Sequence, residues 1–556
     1  MKVAPIGIVD FKEIITENYQ YVDKTLIIKE ILDKKYKTFL FPRPRRFGKT
    51  MTMSMLNYFF NIKYKDEPNI FEGLNISKEG EKYLKHKNKY PVIFITLKDV
   101  KGRTWEEQIE QIKQAIVNMY KEHRYVLEIL EDYEKEIYIN ILSKKATEIE
   151  YSYSLANLME YLQRYYNQRV VVLIDEYDSL IEKAYVNGFY QDAIDFIRTF
   201  LSSALKDNTN EEIGIITGIL QIAKESIFSD LNNFKSYNIL HDEYDEYFGF
   251  TQKEVDKLLV EYDLEEKREI VKDWYNGYLF GNTKIYNPWS ILNYLDEKKE
   301  KPYWVNTSSN DLITQMCNFN TKKNWELVEK ILRGEDITAT ITENAVYANI
   351  NGSINEISQF LLFAGYLTVK EKNYEEDIEG NKVFKNSYQL QIPNKEIRSV
   401  FESIVELWFV QSISSEVVYK IKKALINNEM EEFSKYLNRL LVESSGSFDS
   451  NESFYHGLMF MLLASFGDRY IIESNRESGD GRYDIEMVKR DNSYGVIFEF
   501  KFSTDINNLE KDAKAGYEQI TSKQYDTRLK MLGVKEIWKY GISFANKKAY
   551  VYYENK

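Results

Sequence analysis

The stretch Thr38-Phe39-Leu40-Phe41-Pro42-Arg43-Pro44-Arg45-Arg46-Phe47-Gly48-Lys49-Thr50 decides how this chain is read. Its first four residues form an apolar run of strand length, then comes a turn, then a helix opening at Lys49. Free backbone N–H groups at the start of such a helix suit a phosphate. The lysine can reach the outer phosphate oxygens, and the threonine hydroxyl can ligate magnesium. The phosphate-loop pattern GxxxxGK[ST] begins with glycine, where this chain has Arg43. Taken alone, the triplet leaves an ordinary surface turn as an equal alternative.

A second run farther along the chain adds weight to the first. Residues 170–174 are again of buried type, Val-Val-Val-Leu-Ile, and they lead directly into Asp175-Glu176. Two acids leaving the C-terminal end of a buried strand sit where open parallel sheets bind ligands. Asp175 can hold magnesium through water, and Glu176 can polarise the water that attacks a terminal phosphate. Further apolar runs at residues 92–95 and 213–217 are separated by helical sequence. That alternation predicts a parallel sheet covered on both faces. The two motifs stand in the right order, and together they favour nucleotide hydrolysis over a solvated acidic turn.

Length and composition limit the remainder. A chain of 556 residues predicts about three or four domains. With 44% hydrophobic and 29% charged residues it reads as globular. No signal-like segment opens it, no stretch is apolar enough to span a bilayer, and Cys317 is the single cysteine. The expected location is therefore the cytoplasm. Four histidines and one cysteine exclude a His- or Cys-rich zinc site, so a metal would be held by carboxylates, as magnesium or manganese is. The net charge of −13 argues against a DNA-coating protein, although residues 511–548 carry nine Lys/Arg against four Asp/Glu. Residues 252–294 read as short helices between Asn/Gly turns. Residues 351–391 read as a helix at 357–362 and a hairpin of strands 365–369 and 387–392, a winged-helix-like module. Amphipathic helices follow near 401–413 and 430–443.

Several motifs resemble the predicted AAA-ATPase-like family of bacterial proteins: Pro5-Ile6-Gly7, Tyr21-Val22-Asp23-Lys24-Thr25, the Arg43–Thr50 stretch, Leu173-Ile174-Asp175-Glu176-Tyr177-Asp178, the segment from Thr217 to Ser229, Trp274-Tyr275-Asn276-Gly277-Tyr278 and Tyr286-Asn287-Pro288-Trp289-Ser290. The resemblance runs from about residue 4 to residue 290, and in that family an arginine in place of the first glycine is usual. It implies a P-loop ATPase in which Arg45, Arg46, Phe47, Gly48, Lys49, Thr50, Asp175 and Thr217 surround ATP and Mg2+. Thr217 would act as a sensor and Glu176 as the catalytic residue. Arg45 and Arg46 read equally as phosphate contacts or as surface charges. Gln221 stands where an arginine is expected, and Tyr21–Thr25 would lie near the base by analogy alone.

A second set of carboxylates closes the chain. Residues 483–488 alternate as a strand would, Asn492-Ser493 makes a turn, and residues 495–502 form a more apolar strand carrying Glu499 and Lys501 on one face, so that Asp484 and Glu499 can lie side by side in a hairpin. Two carboxylates and the Phe500 carbonyl can hold magnesium, and the lysine can orient an attacking water. A salt-bridged edge strand is the plain alternative. Helices at 452–466 and 508–522 and strands at 537–544 and 549–553 give an αβββαβ order. From Glu473 through Asp484, Glu499-Phe500-Lys501, Gln519 and Tyr525, the chain resembles the PD-(D/E)XK nuclease domain. That resemblance implies Asp484 and Glu499 as metal ligands, Lys501 as the catalytic lysine and Gln519 as support, with Mg2+ or Mn2+ as cofactor. Glu452 and His456 are candidate further ligands or caps, and Glu473 a candidate salt-bridge partner of Arg482.

The expected architecture is thus α/β and multidomain. A P-loop AAA-like ATPase spans residues 1–250, a helical lid region 251–345, a winged-helix-like and helical connector 346–440, and a restriction-endonuclease-like nuclease domain 441–556. The expected function is ATP-regulated or ATP-powered cleavage of nucleic acid, DNA ahead of RNA, with no membrane partner and with homo-oligomers open. The alternative is a nucleotide switch whose last domain binds nucleic acid or a protein without cutting.

Overall fold

In the computed structural model the described residues are 2–221, 234–304, 327–342 apart from 329 and 333, 353–376, 382–412, 415–443, and 452–554 apart from 468, 475, 476, 480 and 504. The chain divides into two compact units. Residues 1–308 and 338–396 form the first, and residues 309–337 and 397–556 the second. It is a mixed α/β multidomain protein, and each unit is built on its own five-stranded sheet.

The first unit centres on strands β1 (Thr38–Pro42), β2 (Val92–Thr96), β3 (Val170–Asp175), β4 (Glu211–Gly218) and β5 (Phe234–Ser236), in the spatial order β2-β3-β4-β1-β5. Every neighbouring pair is parallel. All residues of β1 and β3 are buried, as a sheet covered on both faces requires. Four helices do most of the covering: α1 (Lys49–Phe60), α2 (Trp105–Glu122), α3 (Glu148–Tyr166) and α4 (Tyr190–Leu205). Their starts are specified locally. Thr104 caps α2, and Thr147 and Glu150 form a reciprocal capping box on α3. The core joins Phe39, Phe41 and Leu173 of the sheet to Met55, Leu56 and Phe59 of α1.

Farther along the first unit, α5 (Ile354–Ala364) is followed by the hairpin β6 (Thr368–Glu376) and β7 (Lys382–Gln391). The helix and hairpin expected here are present, but with other bounds. Gly365 is not a strand residue; it terminates α5 in the left-handed conformation, φ 89°. The strands run well past residues 369 and 387; their middle is largely exposed, so no apolar alternation marks it in the sequence.

The second unit carries α6 (Glu452–Ala464), β8 (Tyr470–Ser474), β9 (Ile485–Lys489), β10 (Tyr494–Phe502), α7 (Leu509–Ser522), β11 (Glu536–Ala545) and β12 (Lys548–Tyr552). The sheet order follows the sequence. Only β10 and β11 are parallel, and α7 provides the crossover that a parallel pair needs. This helix lies unusually close to the sheet. A Cβ on Gly541 of β11 would come within 2.0 Å of the Ala513 carbonyl, and one on Gly516 within 3.2 Å of the Glu499 carbonyl. Side chains of α7 are thereby brought onto the face carrying Glu499 and Lys501.

Among the described residues no helix is long and apolar enough to cross a membrane.

Candidate functional site

The first constellation gathers at the C-terminal ends of β1, β3 and β4. Strand β1 stops at Pro42, and the chain turns through Arg46 and Gly48, both left-handed at φ 68° and 80°, before α1 begins at Lys49. Turns of this kind gather backbone N–H groups into a concavity that suits an anion. Lys49 is buried at 4% exposure. Its Nζ donates to the carbonyls of Arg43 and Pro44 at 2.9 and 3.0 Å, so it lies inside the loop. Burial pushes its ammonium below the ordinary value, opposed by Glu176, Asp178 and Asp175.

Asp175, at the end of β3, ties the start of α1 to the end of β4. One carboxylate oxygen accepts from the Thr50 hydroxyl at 2.8 Å, the other from the Thr217 hydroxyl at 2.6 Å. Register places Thr217 beside Phe41 of β1, and Thr217 also accepts weakly from the Glu176 N–H at 3.4 Å. Burial raises Asp175 above the usual carboxylate range, while the Thr217 hydroxyl works against that rise. A hydroxyl and a carboxylate 2.8 Å apart are hard oxygen donors of the kind magnesium takes, so this pair fits the ion. Glu176 is half-buried at φ 53° at the strand end.

The arginines of the loop are each held by other groups of the protein. Arg43 is fully buried and donates to the carbonyls of Pro42, Tyr237 and Tyr244, with Phe248 and Phe280 rings on its faces. Burial lowers its pKa to about 9. Arg45 pairs with Glu182 at 2.7 Å, and the Arg46 guanidinium lies over the Trp289 ring at 4.2 Å. Phe47 packs against Tyr278 and Phe280. Neither Arg45 nor Arg46 is a bare surface charge, a choice that the residue pattern left open. Asp178, fully buried, accepts from the Ile219 and Leu220 N–H groups at 2.8 and 2.9 Å, and burial raises it to about 6. Gln221 is buried, and residues 222–229 of the same motif lie outside the described residues.

Tyr21–Thr25 are tied to neighbouring segments. Lys24 pairs with Glu254 at 2.7 Å, and Asp23 accepts from the Thr25 and Asn75 N–H groups.

The second constellation lies across β9, β10 and α7. Ile485 pairs with Phe498, so Asp484 falls beside Glu499, and an Asp484 oxygen accepts from the Phe500 N–H at 2.6 Å. Glu499 is 4% exposed. One of its oxygens accepts from Lys501 at 3.2 Å and from the Gln519 amide at 2.5 Å. Gln519 also accepts from Lys501 at 2.7 Å and donates to the Tyr525 hydroxyl at 3.0 Å. The other Glu499 oxygen is buried with no hydrogen-bond partner. Burial, reinforced by Asp484 and opposed by Lys501, raises Glu499 to about 7. A buried carboxylate oxygen without a donor is costly unless something cationic meets it. The residues therefore fit a divalent ion. No three His, Cys, Asp or Glu side chains cluster tightly enough among the described residues to cage a metal. Two carboxylates with water and substrate oxygens completing the shell is the manner of magnesium.

His456 of α6 has its Nε2 3.4 Å from the Asp484 carbonyl oxygen and 3.2 Å from the Ser474 hydroxyl. The side chain of Glu452 lies outside the described residues. Glu473 pairs with Arg528 at 2.7 Å, and Arg528 also meets the fully buried Glu486. Residue patterns carry no signal for Arg528, for Glu182 or for the Trp289 contact, since each partner is remote in the chain.

Residues 5–228 match the family model described as Predicted AAA-ATPase, and residues 450–554 match the model of the PD-(D/E)XK nuclease superfamily. The chain thus carries an AAA-ATPase-like domain at its N-terminal end and a PD-(D/E)XK nuclease domain at its C-terminal end. A protein of Azotobacter chroococcum mcd 1, described as "Uncharacterized protein in vnfD 5'region", is 22% identical over 516 residues, covering 90% of this chain and 89% of its own length.

Proposed function

We propose that this protein binds and hydrolyses ATP at the first constellation and cleaves nucleic acid at the second, with ATP regulating or powering the cleavage. The observation that carries the reading is the cluster of Asp484, Glu499, Lys501 and Gln519, with a buried Glu499 oxygen left for a cation. In this reading Asp484 and Glu499 hold Mg2+, with Mn2+ as a substitute. The ion when bound supplies Lewis-acid polarisation of a phosphodiester. Lys501 is fixed from two sides by Glu499 and Gln519, so its ammonium is aimed without a large entropic cost and orients the attacking water. DNA is the favoured substrate over RNA, and the cytoplasm the favoured location.

At the ATP site, Lys49 leaves the Arg43 and Pro44 carbonyls for the phosphates. Thr50 and Asp175 hold Mg2+, Glu176 positions the attacking water, and Thr217 senses the terminal phosphate through Asp175. Residues 1–250 form the ATPase domain in this reading, 251–345 a lid, 346–440 a connector and 441–556 the nuclease domain.

The test is a cleavage panel of single-stranded, double-stranded and branched substrates, with Mg2+ or Mn2+, with and without ATP. Lys501→Ala is expected to lose cleavage by at least about a hundredfold while keeping ATP hydrolysis. Undiminished metal-dependent cleavage by Asp484→Ala would remove the nuclease assignment.

A further inference from the structure

Three consecutive residues of the phosphate loop are held from outside the sheet. Gly365, which ends α5, sits so close to Pro44 that a Cβ there would meet the proline at 2.8 Å. The Trp304 indole N–H donates to the Arg45 carbonyl at 3.3 Å, and its ring packs edge-on against Tyr366 at 4.8 Å. Arg46 lies over Trp289. From Trp304 the contacts lead away from the loop. Its backbone N–H donates to one oxygen of Glu396 at 2.8 Å, and the Ser290 hydroxyl donates to the other at 2.7 Å. Glu396 is fully buried and is the second residue of the helix Lys395–Ser412. The first unit ends at Glu396, and the rest of that helix belongs to the unit bearing Asp484, Glu499 and Lys501.

We propose that Trp304 is a positioning residue that reads the state of the phosphate loop and passes it, through Glu396, to the helix Lys395–Ser412. This rests on the first constellation being a nucleotide site. The physical reason is a conflict over the loop's backbone. Lys49 satisfies the Arg43 and Pro44 carbonyls, and a phosphate in the concavity takes that lysine and the N–H groups of the same turn. The peptides from residue 43 to 46 then reorient, and the Arg45 carbonyl moves with them. An indole N–H has no acceptor role and Trp304 is buried, so a shift of the carbonyl it donates to pulls on the ring. A close-packed interior transmits such a shift to the atoms bonded behind it, here the Glu396 carboxylate. A tryptophan that only fills space has no need of its N–H, and that difference can be measured.

The experiment uses the full chain. A fluorescent N-methylanthraniloyl ATP with Mg2+ reports binding, and backbone hydrogen exchange with and without Mg-ATP reports the helix at residues 395–412. In the wild type, nucleotide is expected to change exchange there by about fivefold or more. Trp304→Phe keeps an aromatic ring at the position but removes the pyrrole ring with its donor; it is expected to bind nucleotide within about threefold of wild type but to lose most of the change at 395–412. Ser290→Ala, a smaller lesion that removes one donor to Glu396, is expected to shrink the same change. Wild-type binding without any change at 395–412, or the full wild-type change in both variants, overturns the relay alone. Absence of nucleotide binding by the wild type overturns the nucleotide site, and the relay with it.

Discussion

Glu396 offers a stability test that needs no substrate. Its carboxyl is buried and accepts from the Trp304 N–H and the Ser290 hydroxyl, and burial raises it from 4.5 to about 7 despite those donors and a further one from the Tyr303 backbone. A folded-state pKa above the unfolded one means that folding favours the protonated form. Its contribution is full below the unfolded pKa and is lost as pH rises through the folded one. Glu396→Gln keeps the volume and an acceptor for Trp304 but cannot ionise. Integrating the shift gives the glutamine variant a relative gain of about 2 kcal/mol between pH ~5.5 and pH ~8.5. The assay is urea unfolding of both proteins at these two pH values, followed by tryptophan fluorescence. Other buried acids such as Glu211 and Asp178 titrate identically in both proteins and cancel in the comparison. A difference between wild type and variant that is the same at both pH values would refute the buried, proton-dependent Glu396.

Glu499 obeys the same sign. Its pKa of about 7 predicts that Glu499→Gln is the more stable protein above that pH without divalent ions, and that it loses the Mg2+-induced rise in melting temperature that thermal shift should show for wild type. Thr217→Val removes the hydroxyl from a buried carboxylate 2.6 Å away and should cost the first unit about 1.5–3 kcal/mol by denaturant unfolding, with ATP hydrolysis falling as Asp175 loses its orientation. Gly541→Ala drives a methyl into the Ala513 carbonyl at 2.0 Å, so α7 must retreat. The second unit should lose about 3 kcal/mol, and cleavage should fall through displaced Gln519 while ATP hydrolysis persists.

What the sequence disclosed and what it hid divide along a physical line. Strands β1, β3 and β4 were visible because a sheet covered on both faces leaves no polar alternation; Asp175, the last residue of β3, could be located by that alone, whereas Thr217 was singled out through the family resemblance. The hairpin that brings Asp484 near Glu499 was visible, but not its register: a two-residue turn at Asn492-Ser493 would set Asp484 opposite Lys501, and the observed pairing of Ile485 with Phe498 is shifted from that by two residues, which keeps the same face. The long β6–β7 hairpin was not visible, since its exposed middle carries no period. The partners of Arg45, Arg46 and Trp304 were also hidden, because Glu182, Trp289 and Glu396 reach them only through the tertiary fold.

Arg43 shows why a departure from a motif need not weaken the site. A glycine is required where the chain turns left-handed or where a ligand touches the backbone. Here the left-handed positions of the loop are Arg46 and Gly48, and position 43 is not one of them. The side chain is therefore free to turn inward between the Phe248 and Phe280 rings, where three carbonyls receive its planar fork. A lysine in that slot would present one point charge to acceptors arranged for a fork, so the choice of arginine is chemical and not merely cationic. Two of those carbonyls belong to Tyr237 and Tyr244 beyond β5, and Phe280 lies in a short hairpin of strands Tyr278–Phe280 and Thr283–Tyr286 that also packs Phe47. The loop's shape is thus set by chain segments well outside the loop, and a ligand that reshapes the loop must act on them too.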